Sequence, residues 1–486
     1  MHRTGPAPVL RLDAHKAAAM QRPVQVAPAP QVAIVALDQG GADAPPPLVT
    51  PGMRVRIGTP LARHAGGMTA DVHAPVAGIV RTIEDRATPT RAGVGTCVVI
   101  ENDGSEDVEP SQGPIEWMTL DGTALLDCIR DGGILGLGGA AFSTAAKLST
   151  ARDRAVEHLV LNGAECEPWI CCDDALMRER ADDVMLGARV MLRTIGAGLC
   201  TVAVEDDKPE AIAALERAAA ATGDERLRIV GLPAVYPSGA ERQLLAAVTG
   251  REVPHDSLPP AVGLLCQNVG TAAAVGRLVR TGVPSISRIV TVTGSGVARP
   301  ANLEARIGTP LSELVAACGG YRAEPRRLIA GGTMMGLALD TDETALTKAV
   351  NCVIIATDAD LAPPGREMPC IRCGLCAEAC PVGLLPQQLH HAAVADDARQ
   401  LGRHGLADCI ECGCCDYVCP SRIPLTERFR AARARAGLEE EARQRASQAR
   451  ERFERRERRL ATLAAAERAA FDEVRRHARG DGPRGV

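Results

Sequence analysis

Two runs of cysteine share one spacing. Cys370, Cys373, Cys376 and Cys380, followed by Pro381, recur as Cys409, Cys412, Cys415 and Cys419, followed by Pro420. In a CxxCxxCxxxCP run, three closely spaced thiolates hold one [4Fe–4S] cube, and the fourth cysteine crosses to the other cube. The spacing therefore predicts one cluster on Cys370, Cys373, Cys376 and Cys419, and a second on Cys380, Cys409, Cys412 and Cys415. Structural zinc is the competing reading, but it uses two close pairs separated by a loop rather than four cysteines in eleven residues. Cys414 is a fifth cysteine in the second run, expected to pack against a cluster or to donate a weak S–H bond to sulfide.

A second candidate site is the stretch GGILGLGGAAFSTAAKLS, Gly132 to Ser149, with five glycines ahead of a predicted helix. Glycines let a backbone approach a ligand closely, and amides at a helix start favour an anion such as phosphate. The stretch departs from the dinucleotide fingerprint because a predicted helix, TALLDCIRD, precedes it where a strand is required. An ordinary turn and a phosphate cradle are both open. Lysine occurs only at Lys16, Lys147, Lys208 and Lys348 among 55 basic residues. Lys147, one turn into the helix, is either an incidental surface residue or a flexible charge suited to phosphate or isoalloxazine oxygens. Asn162, Glu165 and Glu167 follow the predicted strand VEHLVLNG. Carboxylates there can accept ribose hydroxyls or an adenine amino group, or stand as helix N-terminal charge ahead of DDALMRER.

Five units must position these residues. Residues 1–110 contain short strands between Gly and Pro turns. The turn PGMRVRIGTPLA followed by VHAPVAGIVRTI resembles the barrel-sandwich hybrid of biotinyl and lipoyl domains. No lysine lies in that stretch, so a structural or docking role replaces covalent carriage. Residues 111–284 alternate helices with strands, which predicts a parallel sheet of Rossmann-like type with ligands at the carboxyl ends of its strands. Residues 285–362 read as a small α+β module with the turn AGGTMMGLAL. Residues 363–425 form a helical cysteine module, in which His390, His391 and His404 read as surface polar groups. Residues 426–486 read as a long charged helix serving as a spacer or partner helix.

Composition removes other classes. A formal net charge of -5 and 2% aromatic residues argue against a nucleic-acid partner. No apolar run reaches about 18 residues, and MHRTGPAPVLRLDAHK lacks a signal peptide's apolar region, so the expectation is a cytoplasmic chain. Cys97, Cys128, Cys171, Cys172, Cys200, Cys266, Cys318 and Cys352 have no ligand spacing and read as small buried hydrophobes.

GLGGAAFSTAAK, LNGAECEP, YPSGAERQLL (Tyr236 to Leu245) and CQNVGTAAAV (Cys266 to Val275) together resemble the flavin and NADH-binding subunit of respiratory complex I. With GGTMMG, two cluster runs, the hybrid unit and the charged tail, the resemblance narrows to the RnfC family, within the Rnf/Rsx ion-translocating electron transport complex, over nearly the whole chain. It implies an SLBB-type α+β module after the flavin domain. It implies FMN held by Gly136, Gly138, Gly139, Lys147, Asn162, Tyr236, Gly239, Gln267 and Asn268. NADH is implied near Phe142, Glu165, Glu167 and Glu241. It further implies an NADH-linked oxidoreductase subunit of a translocase, peripheral on the cytoplasmic face of the bacterial inner membrane. The implied partners are membrane subunits and a ferredoxin-like subunit, with ferredoxin engaged indirectly. Ser143 stands where the family has proline, which is expected to loosen the loop. Ala164 and Ala240 replace acidic residues of complex I, and Gln267 an asparagine. The resemblance leaves room for a diaphorase subunit of a soluble hydrogenase or a flavin-less electron wire.

Overall fold

The computed structural model describes residues 9–40, 44–63, 70–90, 92–110, 113–255, 257–362 and 365–479. Among these, the short strands of the first unit form an antiparallel sheet in the order Val32–Ala36, Val94–Asn102, Gly78–Ala87, Arg54–Val55, with a two-stranded ladder of Pro60–Ala62 and Val72–His73 beside it. Ala33, Val35, Leu37, Val80, Val98 and Ile100 turn into a core of their own.

The strands His158–Gly163, Leu199–Glu205 and Leu264–Asn268 are largely buried, as strands covered by helices on both faces must be. They form a parallel sheet in the order Leu227–Leu232, Leu199–Glu205, His158–Gly163, Leu264–Asn268. Register sets Leu161 against Gln267 and Asn162 against Asn268. Two amide side chains thus stand at the carboxyl edge of adjacent strands, where open α/β sheets bind ligands. Asn268 also caps the helix Val269–Thr281, accepting from the Gly270 and Thr271 amides. That helix crosses Ala181–Ile195 at unusually close range. A Cβ at Gly187 would lie 1.7 Å from the Ala272 carbonyl oxygen, and one at Gly276 2.1 Å from that of Asp183.

A mixed six-stranded sheet follows, in the order Gln25–Val26, Ala301–Arg306, Ser287–Thr293, Cys352–Ala356, Arg327–Ala330, Leu337–Leu339. Its first strand comes from the N-terminal stretch, with Gln25 beside Leu303 and Val26 beside Glu304. Farther upstream, Leu10 exchanges backbone hydrogen bonds with Tyr236. The stretch before the hybrid sheet therefore wraps over the two later units instead of packing with its neighbour in sequence.

The cysteine module is helical, with Leu375–Glu378, Pro386–Val394, Ala398–Arg403 and Cys414–Tyr417 around its loops. The final helix, Leu425–Ala478, has 54 residues and is about 80 Å long. Its first turns are not a free tail: Leu425, Phe429 and Ala432 are buried in the core of the cysteine module. Beyond Arg433 the described side chains of the helix are exposed.

Candidate functional site

The two cysteine loops take the same backbone turn. Arg372 and Glu411, each ahead of the second cysteine, have φ of 56° and 57°, and Gly374 and Gly413 after it have 85° and 74°. The turn brings the crossed sets together. Cys370, Cys373, Cys376 and Cys419 line one cavity with Gln387, His390 and Ile423. Cys380, Cys409, Cys412 and Cys415 line another with Cys414, Leu389 and Phe429. One tetrahedral zinc would hold its sulfurs about 3.8 Å apart, from a Zn–S bond of about 2.3 Å. Among the described residues, the only group of three or more candidate donors within 4.8 Å of one another is Glu165, Cys172 and Asp173. Each cysteine set thus surrounds a shared cavity at a spread too wide for a single ion, which fits a polynuclear cluster. The Leu384 amide donates to Cys380 Sγ at 3.3 Å, a contact that stabilises a thiolate ligand.

His390, read from the sequence as a surface group, is buried at the first cavity with Arg428 Nη1 3.1 Å from its Nδ1. The helix bearing it is amphipathic, and its inner face is the cavity wall. Cys414 is buried with Tyr236, Ala379 and Cys412, packed beside the second cluster's cavity. The two cavities differ in setting. Ile371, Arg372 and Cys373 of the first loop are exposed. The second loop is covered: the Tyr236 hydroxyl donates to the Cys412 carbonyl at 2.6 Å, and a Cβ at Gly413 would lie 2.9 Å from the Met334 carbonyl oxygen.

In the glycine-rich loop, the Gly136 amide donates to the Phe142 carbonyl at 2.8 Å and closes the turn. Gly138 and Gly139 are exposed, and their amides have no acceptor among the described residues. A Cβ at Gly138 would sit 3.2 Å from that of Asn268. Ser143, at the family's proline position, is tied into the loop. It is buried, pairs with Leu135 as an isolated bridge and caps the helix Thr144–Asp153 through its hydroxyl. Serine supplies an acceptor that proline lacks.

Around the loop, Asn162 Nδ2 donates to the Gly239 carbonyl at 2.8 Å, and its Oδ1 accepts from the Ala164 amide at 3.0 Å. Asn268 Nδ2 donates to Asp173 Oδ2 at 2.6 Å. Gln267 is buried, and its Nε2 has no acceptor among the described residues. Lys147 Nζ reaches Glu241 Oε1 at 2.6 Å and the Cys266 carbonyl at 2.9 Å. Exposed amides at Gly138 and Gly139, an orphaned buried amide at Gln267 and the Lys147 ammonium on the neighbouring Cys266 carbonyl fit FMN, which needs donors for its phosphate and ring oxygens.

The two glutamates have other work. The Glu165 carboxylate accepts from the Asp173 and Asp174 amides at 2.9 and 3.3 Å, capping the helix Cys172–Glu179. These contacts are those of the helix-charge reading. Burial, with the Asp173 charge second, pushes its pKa up to about 7. Glu167 accepts from the Met334 and Met335 amides at 3.1 and 2.9 Å, clamping the GGTMMG turn, and burial raises it to about 7. Tyr236, grouped with the flavin contacts by resemblance, directs its hydroxyl to the cluster loop.

All four lysines are engaged. Lys16 donates to the Glu165 carbonyl, Lys208 to Glu205, and Lys348 to the Asp71 and Gly133 carbonyls. Lys16, Lys208 and Lys348 are buried. The scarcity of lysine was the available signal for their placement. Arg288 and Asp173 carried no signal in the sequence.

Family models match four regions: RnfC barrel sandwich hybrid domain at residues 10–105, Nuo51 FMN-binding domain at 129–277, SLBB domain at 289–338 and 4Fe-4S dicluster domain at 368–423. A protein of Pseudomonas aeruginosa, named as the C subunit of an ion-translocating oxidoreductase complex, is 46% identical over 93% of this chain and 58% of its own length. Relatives of the same name in Yersinia enterocolitica and Yersinia pestis biovar Antiqua are each 40% identical over 90% of this chain, covering 62% and 70% of those proteins. The chain thus spans about three fifths of the first two relatives. A chain of an NAD+-reducing [NiFe]-hydrogenase is 21% identical, with a TM-score of 0.46, over 61% of this chain and 59% of that one. With its hybrid, FMN-binding, SLBB and dicluster domains in this order, the chain belongs to the RnfC family of ion-translocating oxidoreductase complexes.

Proposed function

We propose that this chain is the NADH, FMN and iron–sulfur subunit of a membrane-bound ion-translocating ferredoxin:NAD+ oxidoreductase, docked peripherally on membrane subunits and served by a ferredoxin-like subunit. The observation that carries the reading is the buried bond from Tyr236, on the flavin domain, to Cys412, in the second cysteine loop. It ties the flavin domain to the loop of a cluster-type cysteine by a buried contact. FMN, when bound, supplies conversion between two-electron exchange with NAD(H) and one-electron exchange with iron–sulfur centres.

The chain's residues supply position and electrostatics. Gly138 and Gly139 offer amides to an anion or ring oxygen, and Gln267 a buried donor. Asn162 fixes the Tyr236–Gly239 turn against the sheet edge. Lys147 is held by Glu241, a pair that opens when an anionic group competes for the ammonium. Cys380, Cys409, Cys412 and Cys415 lie toward the flavin domain, whereas Cys370, Cys373, Cys376 and Cys419 hold the end whose loop meets solvent. That end suits exchange with a partner. No helix among the described residues is long and apolar enough to cross a membrane, consistent with peripheral docking.

The test is anaerobic reconstitution of the full chain. FMN released on denaturation, about eight irons per chain and NADH-dependent ferricyanide reduction are expected. Clusters without flavin or NADH oxidation would leave only an electron wire.

A further inference from the structure

The glycine-rich loop is held from behind by residues that belong to neither its own domain nor its flavin-facing side. Arg288, from the SLBB region, is buried; its Nη2 donates to the Leu137 carbonyl at 3.1 Å and its Nη1 to the Lys348 carbonyl. Lys348 is also buried, and its Nζ donates to the Gly133 carbonyl at 2.7 Å and to the Asp71 carbonyl at 3.1 Å. Its backbone amide donates to Gln39 Oε1 of the hybrid domain at 2.9 Å. The hybrid domain touches the loop directly as well: a Cβ at Gly40 would lie 1.9 Å from that of Ala141, and one at Gly133 2.4 Å from the Asp71 carbonyl oxygen. Three domains therefore meet on the loop's hidden face.

We propose that Arg288 and Lys348 are positioning residues for the flavin loop, through which the hybrid and SLBB domains set its geometry and sharpen its outward amides. The peptide between Leu137 and Gly138 is the key unit. Its carbonyl takes a guanidinium N–H, while its own N–H, that of Gly138, points to the exposed side with no acceptor among the described residues. Donation to a carbonyl polarises the whole peptide and strengthens its amide as a donor, and a charged donor does this more strongly than a neutral one. Leu137 cannot swing away, because its amide donates to Thr271 Oγ1 at 2.9 Å. Burial pushes Lys348 down to about 7, yet both its donations survive loss of the proton, since a neutral amine keeps two N–H groups. This role also gives the hybrid domain, whose turn region lacks a lysine for a covalent cofactor, a task in the flavin site.

The inference rests on the reading that residues 132–142 hold FMN, and two readouts separate the failures. Flavin dissociation is followed by fluorescence, and hydrogen exchange of residues 132–142 by mass spectrometry in the flavin-free full chain. Arg288→Met is expected to weaken FMN binding by about tenfold or more and to speed exchange in the loop, with iron content unchanged. Arg288→Lys, which keeps the charge but not both contacts, should fall between, and it decides the matter if the methionine variant does not fold. Unchanged loop exchange in the variants overturns the positioning role. Wild-type protein that binds no FMN overturns the flavin reading instead, and the exchange readout still judges Arg288.

Discussion

Tyr236→Phe removes one hydroxyl and leaves the ring that fills the space between the flavin domain and the second cysteine loop. The lost bond, 2.6 Å to the Cys412 carbonyl, is buried. The carbonyl would remain desolvated without its partner, which costs about 1–3 kcal/mol. That cost should appear as a lower denaturation midpoint. The same carbonyl lies on a ligand residue, and hydrogen-bond donation near a cluster favours its reduced, more negative state. If about 0.5–1 kcal/mol of the bond differs between the two states, the potential of the second cluster falls by about 20–45 mV, taking 59 mV per factor of ten for one electron. The assay is an electron paramagnetic resonance redox titration of the anaerobically reconstituted chain. The first cluster, on the exposed loop, serves as an internal reference and should not move. Equal shifts at both clusters, or no shift with unchanged stability, would refute the reasoning.

Crossed ligation predicts that Cys380→Ser and Cys412→Ser each lower iron from about eight to about four per chain, and that combining them loses no more. Cys414→Ser should retain about eight; iron analysis decides both. For Glu167, the folded carboxyl sits near 7 against an ordinary 4.5. The folded state therefore holds a proton that the unfolded chain releases, and this stability is present at low pH and lost as pH rises through about 7. Between about pH 5.5 and 8 Glu167 alone should contribute a loss of about 2 kcal/mol, alongside a loss of the same sign from Glu165, and Glu167→Gln should make the slope in urea denaturation shallower by that share; an unchanged slope would assign the loss elsewhere. Truncation after Gly437 should leave iron content and thermal midpoint unchanged, because the buried base of the last helix ends near Ala432. Arg433→Ala, by contrast, strips contacts from Glu411 and from the Leu406 and Cys409 carbonyls. It should cost about 2–4 kcal/mol by the same denaturation assay.

The domain order and the presence of two cluster-type cysteine runs were readable in the sequence for a local reason. Three thiolates around one cluster must come from one tight turn, so the chemistry prints itself as spacing, and the apolar strands print the sheet. What escaped was action at long range. Nothing near Tyr236 announces a carbonyl 176 residues away, and Arg288 is one arginine among many until the fold lays it against Leu137. Glu165 and Glu167 were equivocal because a carboxylate at a strand's end serves a helix amide as readily as a sugar hydroxyl. The rooting of the last helix also escaped, since an Arg-rich composition hides Phe429 and Ala432, which join Leu425 in the core of the cysteine module.

The fate of the four lysines has a practical side. Three of the four side-chain amines are shut inside the fold, at 9%, 3% and 1% exposure for Lys16, Lys208 and Lys348. Lys147 alone keeps 31% of its side chain open, beside Glu241. An amine-reactive label would therefore find one internal target in 486 residues, and, with flavin held as proposed, shielding of a single peptide would register cofactor occupancy without any engineered probe.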